Sequence, residues 1–151
     1  MHLGDERVEL GARPLSVGGI LDLRRDVERH DVRARLRERE RDSTALPVLC
    51  LPGLTRTTDD FDDIARAIAT SSSTPRKVVA IDYRGRGLSD YDPDPAKYAV
   101  PVELGDVLAI AASLGISRAI LLGTSRGGLI SMAMAAAQPK LLAGVILNDI
   151  G

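Results

Sequence analysis

Tryptophan is absent from this 151-residue chain, phenylalanine occurs once, tyrosine three times, histidine twice and cysteine once. A lone cysteine, Cys50, excludes an internal disulfide, and its place in the apolar run of residues 46–51 marks it as a buried, inert thiol. Long hydrophobic stretches are missing as well. No run approaches the roughly 20 apolar residues of a membrane span, and the first residues mix acidic and basic side chains without an apolar stretch of signal-peptide length. A cytoplasmic location is the expectation. Nor is there an excess of charge of one sign: a net charge of −1 and a pI near 6.1 give no global attraction for nucleic acid or an anionic membrane. What is there is 44% hydrophobic residues, enough to bury the core of one ordinary domain.

The basic residues are unevenly placed. Of 20, 17 are arginine, and ten of those fall within the first 41 positions. Residues 22–42 read DLRRDVERHDVRARLRERERD, apolar only at Leu23, Val27, Val32, Ala34 and Leu36. That spacing is loosely helical, opposite charges can pair along it, and little would be buried, so the segment reads as a solvated helix or a poorly ordered arm. Its acidic residues offset most of the arginine charge and no aromatic is present to stack on a base, which argues against a nucleic-acid arm. Residues 16–23 are the one weak strand candidate before the core. The chain therefore divides into an arginine-rich segment, 1–45, and a folded domain, 46–151.

From residue 46 onward, apolar runs of strand length alternate with segments of helical period, the pattern of a mostly parallel α/β sheet with flanking helices. Strands are predicted at 47–51, 77–81, 119–122 and 142–147. Helices are predicted at 59–70, with Phe61, Ile64, Ala65 and Ile68 on one face and Thr58 or Asp59 as cap; at 102–114, closed by Gly115; and at 126–138, ended by Pro139. Met132 and Met134 read as helix packing.

Between the third strand and the third helix stands Gly123-Thr124-Ser125-Arg126-Gly127, a G-x-S-x-G pattern in the strand, turn, helix context that the motif requires. A serine at the tip of so tight a turn sits in a strained backbone conformation, and glycines two residues to either side keep side chains from colliding where strand and helix nearly touch. The hydroxyl also lies at a helix N-terminus, where free N–H groups favour developing negative charge. Two other patterns fail. Gly85 and Gly87 would open a dinucleotide loop whose third glycine falls at Asp90, and Asp90, Asp92 and Asp94 have calcium-loop spacing but Pro95 and Pro101 occupy the required glycine and glutamate positions. No metal and no cofactor are expected.

Four ordered segments over residues 46–151 resemble the α/β-hydrolase fold superfamily of esterase-like and lipase-like serine hydrolases. Leu51-Pro52-Gly53-Leu54 resembles the loop after its third strand. Asp82-Tyr83-Arg84-Gly85-Arg86-Gly87-Leu88-Ser89 resembles its D-x-R-G-x-G-x-S segment, residues 123–128 its nucleophile turn, and residues 147–151 the end of its sixth strand. The resemblance implies Ser125 as nucleophile on an acyl carbonyl. It implies the backbone N–H groups of Arg126 and Leu54 as oxyanion donors, with Gly53, Gly123 and Gly127 supporting turn and loop. It also offers Asp149 as a candidate acid.

A serine needs a base, and in this fold the order is serine, acid, histidine. His2 and His30 both precede the sheet, so neither fits, and the family's two opening antiparallel strands find no convincing alternating pair in residues 1–45. Domains of this type run to roughly 200–250 residues, so the chain reads as the N-terminal half of such a domain, truncated after the strand that follows the nucleophile helix. The expectation is a serine hydrolase by lineage, acting on carboxylic esters or similar small acyl substrates and inactive alone. The alternative is a non-catalytic α/β-hydrolase-like protein or inactive gene remnant. The strand at 142–147, apolar on both faces, would offer an unpaired edge for self-association.

Overall fold

A computed structural model describes residues 20–23, 32–37, 44–71 and 73–148. The chain enters the sheet through β1 (Ile20–Leu23) and β2 (Val32–Arg37), an antiparallel pair with Ile20 opposite Arg35 and Leu23 opposite Val32. At residues 22–23 and 32–37 strand replaces the helix or poorly ordered arm expected over 22–42, the rest of which lies outside the described residues, and the two strands form an antiparallel pair that the sequence of 1–45 did not reveal. The reason lies in the sequence of β2, VRARLR, which alternates apolar and basic residues with the period of a strand.

The remaining strands are β3 (Val48–Leu51), β4 (Val78–Ile81), β5 (Ala119–Thr124) and β6 (Leu142–Asn148), in the sheet order β1-β2-β4-β3-β5-β6. β4, β3, β5 and β6 run parallel, with Val48 beside both Val78 and Ile120, while β2 meets β4 antiparallel. Both faces of the central strands are covered. Leu49, Leu51, Val79, Ile81 and Leu121 pack on one side against α2 (Val100–Ser113) and α3 (Arg126–Ala137). Val48, Cys50, Val78 and Ala80 pack on the other, against α1 (Asp62–Ala69) and Phe61. That double burial is why these strands read as continuous apolar runs without alternation.

Two helix ends rest on identifiable chemistry, the start of the turn leading into α1 and the end of α2. A 3₁₀ turn (Thr58–Phe61) precedes α1, and its cap is Thr57, whose side chain accepts from the Asp59 N–H at 3.4 Å. Neither of the expected caps, Thr58 or Asp59, holds that place: Thr58 is held by the Asp82 carboxylate, and Asp59 supplies the capped N–H. The buried stripe of α1 is Phe61, Ala65 and Ala69, with Ile68 packed beside it, and Ile64 turns out to solvent. Gly115, at φ 65°, closes α2 in the left-handed conformation that a residue without Cβ adopts readily, and the Ile116 N–H returns to the Ala111 carbonyl. In α3, Met134 is fully buried as expected, whereas Met132 faces solvent. Cys50 is fully buried, and desolvation pushes its thiol pKa up to about 12. No helix among the described residues is long and apolar enough to cross a membrane.

Candidate active site

β5 lies between β3 and β6, and it delivers the chain to Ser125 at φ 49°, ψ −112° before α3 begins. Ser125 is the one non-glycine residue with positive φ among those described, and it is exposed. A serine held there costs about 1–3 kcal/mol and persists only because its surroundings over-determine it. Those surroundings are visible. The Ser125 N–H donates to the Asn148 carbonyl of β6 at 3.1 Å, and its carbonyl accepts from the N–H groups of Gly128 (2.8 Å) and Leu129 (3.2 Å). A Cβ on Gly123 would stand 2.5 Å from the Gly127 carbonyl oxygen, and one on Gly127 would fall on the Leu51 carbonyl oxygen. The two motif glycines thus let the first turn of α3 close onto the ends of β5 and β3.

The loop after β3 passes directly beside this turn. A Cβ on Gly53 would lie 3.7 Å from the Ser125 Cβ, so the backbone of Gly53 runs close beside the serine, and Leu54 follows it in the chain. Leu54 is about half exposed. Its carbonyl accepts from Arg86 Nε at 2.6 Å, tying this loop to the one after β4.

The Asp82–Ser89 segment is a scaffold. The Asp82 carboxylate accepts from the Thr58 N–H (2.8 Å) and the Leu88 N–H (3.3 Å), and Ser89 Oγ donates to the Asp82 carbonyl (2.7 Å). Gly87, at φ 51°, has no room for a Cβ against that carboxylate. Arg84 is buried and bidentate to Asp106 of α2 (2.9 and 2.8 Å), with its remaining nitrogen on Asp92 (2.8 Å). Such a pair persists in the interior because every charge on it is met. Asp92 and Asp94 are likewise spoken for, the latter capping the Ala96 N–H at 3.0 Å.

The side chain of Arg126, the residue after Ser125, turns back onto α2: Nε donates to Glu103 Oε2 and Nη2 to the Tyr98 carbonyl, both at 2.7 Å. Tyr83 is fully buried, its hydroxyl has no hydrogen-bond partner among the described residues, and burial, reinforced by the Glu103 carboxylate, pushes its phenol well above the usual range.

A sequence model of the alpha/beta hydrolase fold family matches residues 47–150. The chain belongs to this family. It is 36% identical over 104 residues to the 3-hydroxybutyrate-oligomer hydrolase of Cupriavidus necator, an alignment covering 69% of this chain and 34% of that protein. It is also 36% identical over 104 residues to an sn-1-specific diacylglycerol lipase of Xenopus laevis, covering 69% and 32%. An alpha/beta hydrolase from Novosphingobium aromaticivorans superposes with a TM-score of 0.72 at 41% identity, over 81% of this chain and 41% of its own. The chain thus spans about a third of the length of these curated relatives.

Of the residues singled out from sequence, this alpha/beta hydrolase fold brings Ser125, Arg126, Gly53, Leu54, Gly123 and Gly127 together at one end of β3 and β5. Asp149, His2 and His30 lie outside the described residues. Sequence reasoning missed Arg86, Tyr98 and Glu103. Glu103 did carry a signal: an acidic residue in a helix whose other side chains, Asp106 excepted, are apolar or small needs a buried partner.

Proposed function

We propose that the chain carries the nucleophile-bearing part of a serine hydrolase acting on carboxylic esters or similarly activated acyl groups. The observation that supports this most is Ser125 itself: exposed, held at φ 49° at the head of α3, and flanked by two glycines that cannot be replaced without moving backbone. Its Oγ would attack the acyl carbonyl, forming a C–O bond as its proton passes to a base. The N–H groups of Arg126 and Leu54 would receive the developing oxyanion. Collapse of the tetrahedral intermediate would release the alcohol, which takes the proton, and water would then free the acid by the same route. Asp149 is the candidate acid. The substrate is a small acyl compound, no cofactor is required, and an oligomer hydrolase and a lipase among the relatives favour ester chemistry.

A second reading is a non-catalytic member of the family: both histidines of this sequence, His2 and His30, precede Ser125, against the serine, acid, histidine order of the fold. The two readings separate on covalent labelling. In its full genomic reading frame the protein should react with a fluorophosphonate at Ser125, and Ser125→Ala should abolish the reaction. Labelling that persists in the variant contradicts the assignment. The 151-residue chain alone should cleave p-nitrophenyl acetate no faster than its Ser125→Ala variant, since donors without a base give only weak residual catalysis.

A further inference from the structure

We propose that Tyr98, clamped between Arg86 and Arg126, is a positioning residue that fixes the spacing of the two oxyanion donors. This rests on the serine-hydrolase reading above and extends it to side chains that touch no substrate. Each arginine holds the backbone of one donor residue. Arg86 Nε donates to the Leu54 carbonyl at 2.6 Å, pinning the peptide that follows the Leu54 N–H. The Arg126 guanidinium reaches back from the turn to Glu103 and to the Tyr98 carbonyl, so the start of α3 is tied to the start of α2.

Both arginines meet at Tyr98. The Arg86 guanidinium sits over the Tyr98 ring, 6.0 Å from its centre, a cation–π distance, while the Tyr98 carbonyl accepts from Arg126. Tyr98 is itself immobilised. Its hydroxyl accepts from the Asp92 N–H at 2.7 Å and donates to the Asp92 carbonyl at 2.9 Å, and Asp92 is anchored through Arg84 to Asp106 of α2. Its ring fills the space left by Gly85, where a Cβ would come within 2.8 Å of Cε1. The Leu54 loop and the head of α3 belong to segments some 70 residues apart. Beside the sheet, a rigid aromatic residue bracketed by two planar cations joins them.

An oxyanion hole accelerates a reaction only so far as its donors are already in place, because donors that must move to reach the oxyanion lose the advantage of preorganisation. The strut therefore acts on turnover rather than on substrate affinity. Arg126→Met keeps the backbone donor and releases its tether, and Arg86→Met does the same for Leu54.

The test is steady-state kinetics on p-nitrophenyl acetate with the protein in its full reading frame, together with the rate of fluorophosphonate labelling at Ser125. Arg86→Met and Arg126→Met should each lower kcat and the labelling rate roughly ten-fold with KM little changed. The double variant should lose much less than the product of the two, since both act on one hole. Tyr98→Leu should resemble the double variant, and Tyr98→Phe, which keeps the ring under Arg86 but loses both hydrogen bonds to Asp92, should fall between the wild type and Tyr98→Leu. If Tyr98→Leu fails to fold, the half-buried Arg86 carries the same test with Arg86→Met. Fully multiplicative losses, losses confined to KM, or unchanged rates overturn the strut while Ser125 labelling in the wild type still upholds the serine hydrolase. A wild type that does not label at Ser125 overturns the underlying reading, and the strut with it.

Discussion

Replacing Gly123 by alanine tests how tightly the serine turn is built. The new Cβ would stand 2.5 Å from the Gly127 carbonyl oxygen, 2.7 Å from its carbon and 2.8 Å from the Gly128 nitrogen. Atoms of this kind essentially never approach within 3.0 Å, so β5 and the head of α3 must separate by at least 0.5 Å. All three neighbours are backbone, so no rotamer change relieves the clash. Overpacking costs about 1–3 kcal/mol, and the upper end applies where backbone must yield. At about 2–4 °C per kcal/mol for a domain of 150–250 residues, the melting temperature should fall by about 6–12 °C. Gly105→Ala is the matched control: it lies within α2 with nothing within 4 Å of its Cβ position, so the same change should stabilise by about 0.5–1 kcal/mol through helix propensity. Thermal melts of both variants, paired with labelling at Ser125, measure the contrast. A Gly123→Ala protein that melts and labels like the wild type would refute the close-packed turn.

Three further outcomes concern Tyr83, Cys50 and the edge of β6. Tyr83→Phe removes a buried hydroxyl that has no partner among the described residues, and should stabilise by about 1 kcal/mol in a denaturant titration, where a loss would reveal an unseen partner. The Cys50 thiol, raised from 9.0 to about 12, keeps in the folded state a proton that the unfolded chain releases, so its contribution is intact below pH 9.0 and is lost as pH rises toward 12. Stability should therefore decline there by about 1.4 kcal/mol per pH unit, and Cys50→Ala should flatten that part of the curve. In β6, Val145, Ile146 and Leu147 are 40, 55 and 43% exposed, and the strand pairs only with β5 among the described residues. The 151-residue polypeptide should sediment as an associated species at tens of micromolar, and Ile146→Lys should shift it toward monomer.

The parallel part of the sheet is legible because burial on both faces leaves its mark in consecutive apolar residues: 48–51 and 78–81 can be little else. Ser125 is legible for a related reason, since the glycine spacing at 123 and 127 encodes a close approach of backbones that no other residue permits. β2 was obscured because Leu23, Val27, Val32 and Leu36 fit a helical spacing while Val32, Ala34 and Leu36 fit a strand, and the dense charge favoured the solvated reading. Only pairing with β4, more than 40 residues on, decides between them. The strut around Tyr98 left almost no local trace. Its contacts join residues 28 and 32 positions apart, and nothing in a tyrosine after a proline-rich loop announces that two arginines will converge on it. Separation in sequence hides such a residue, whereas a motif glycine acts on its immediate neighbours.

The central claim, that the strained Ser125 is a nucleophile, is tested most directly by treating the protein in its full reading frame with a fluorophosphonate and mapping the adduct by peptide mass spectrometry. A single phosphonyl group on the peptide containing Ser125, absent after heat denaturation and absent in Ser125→Ala, is the predicted result. An unmodified Ser125, or an adduct on another residue that survives the Ser125→Ala change, would contradict it.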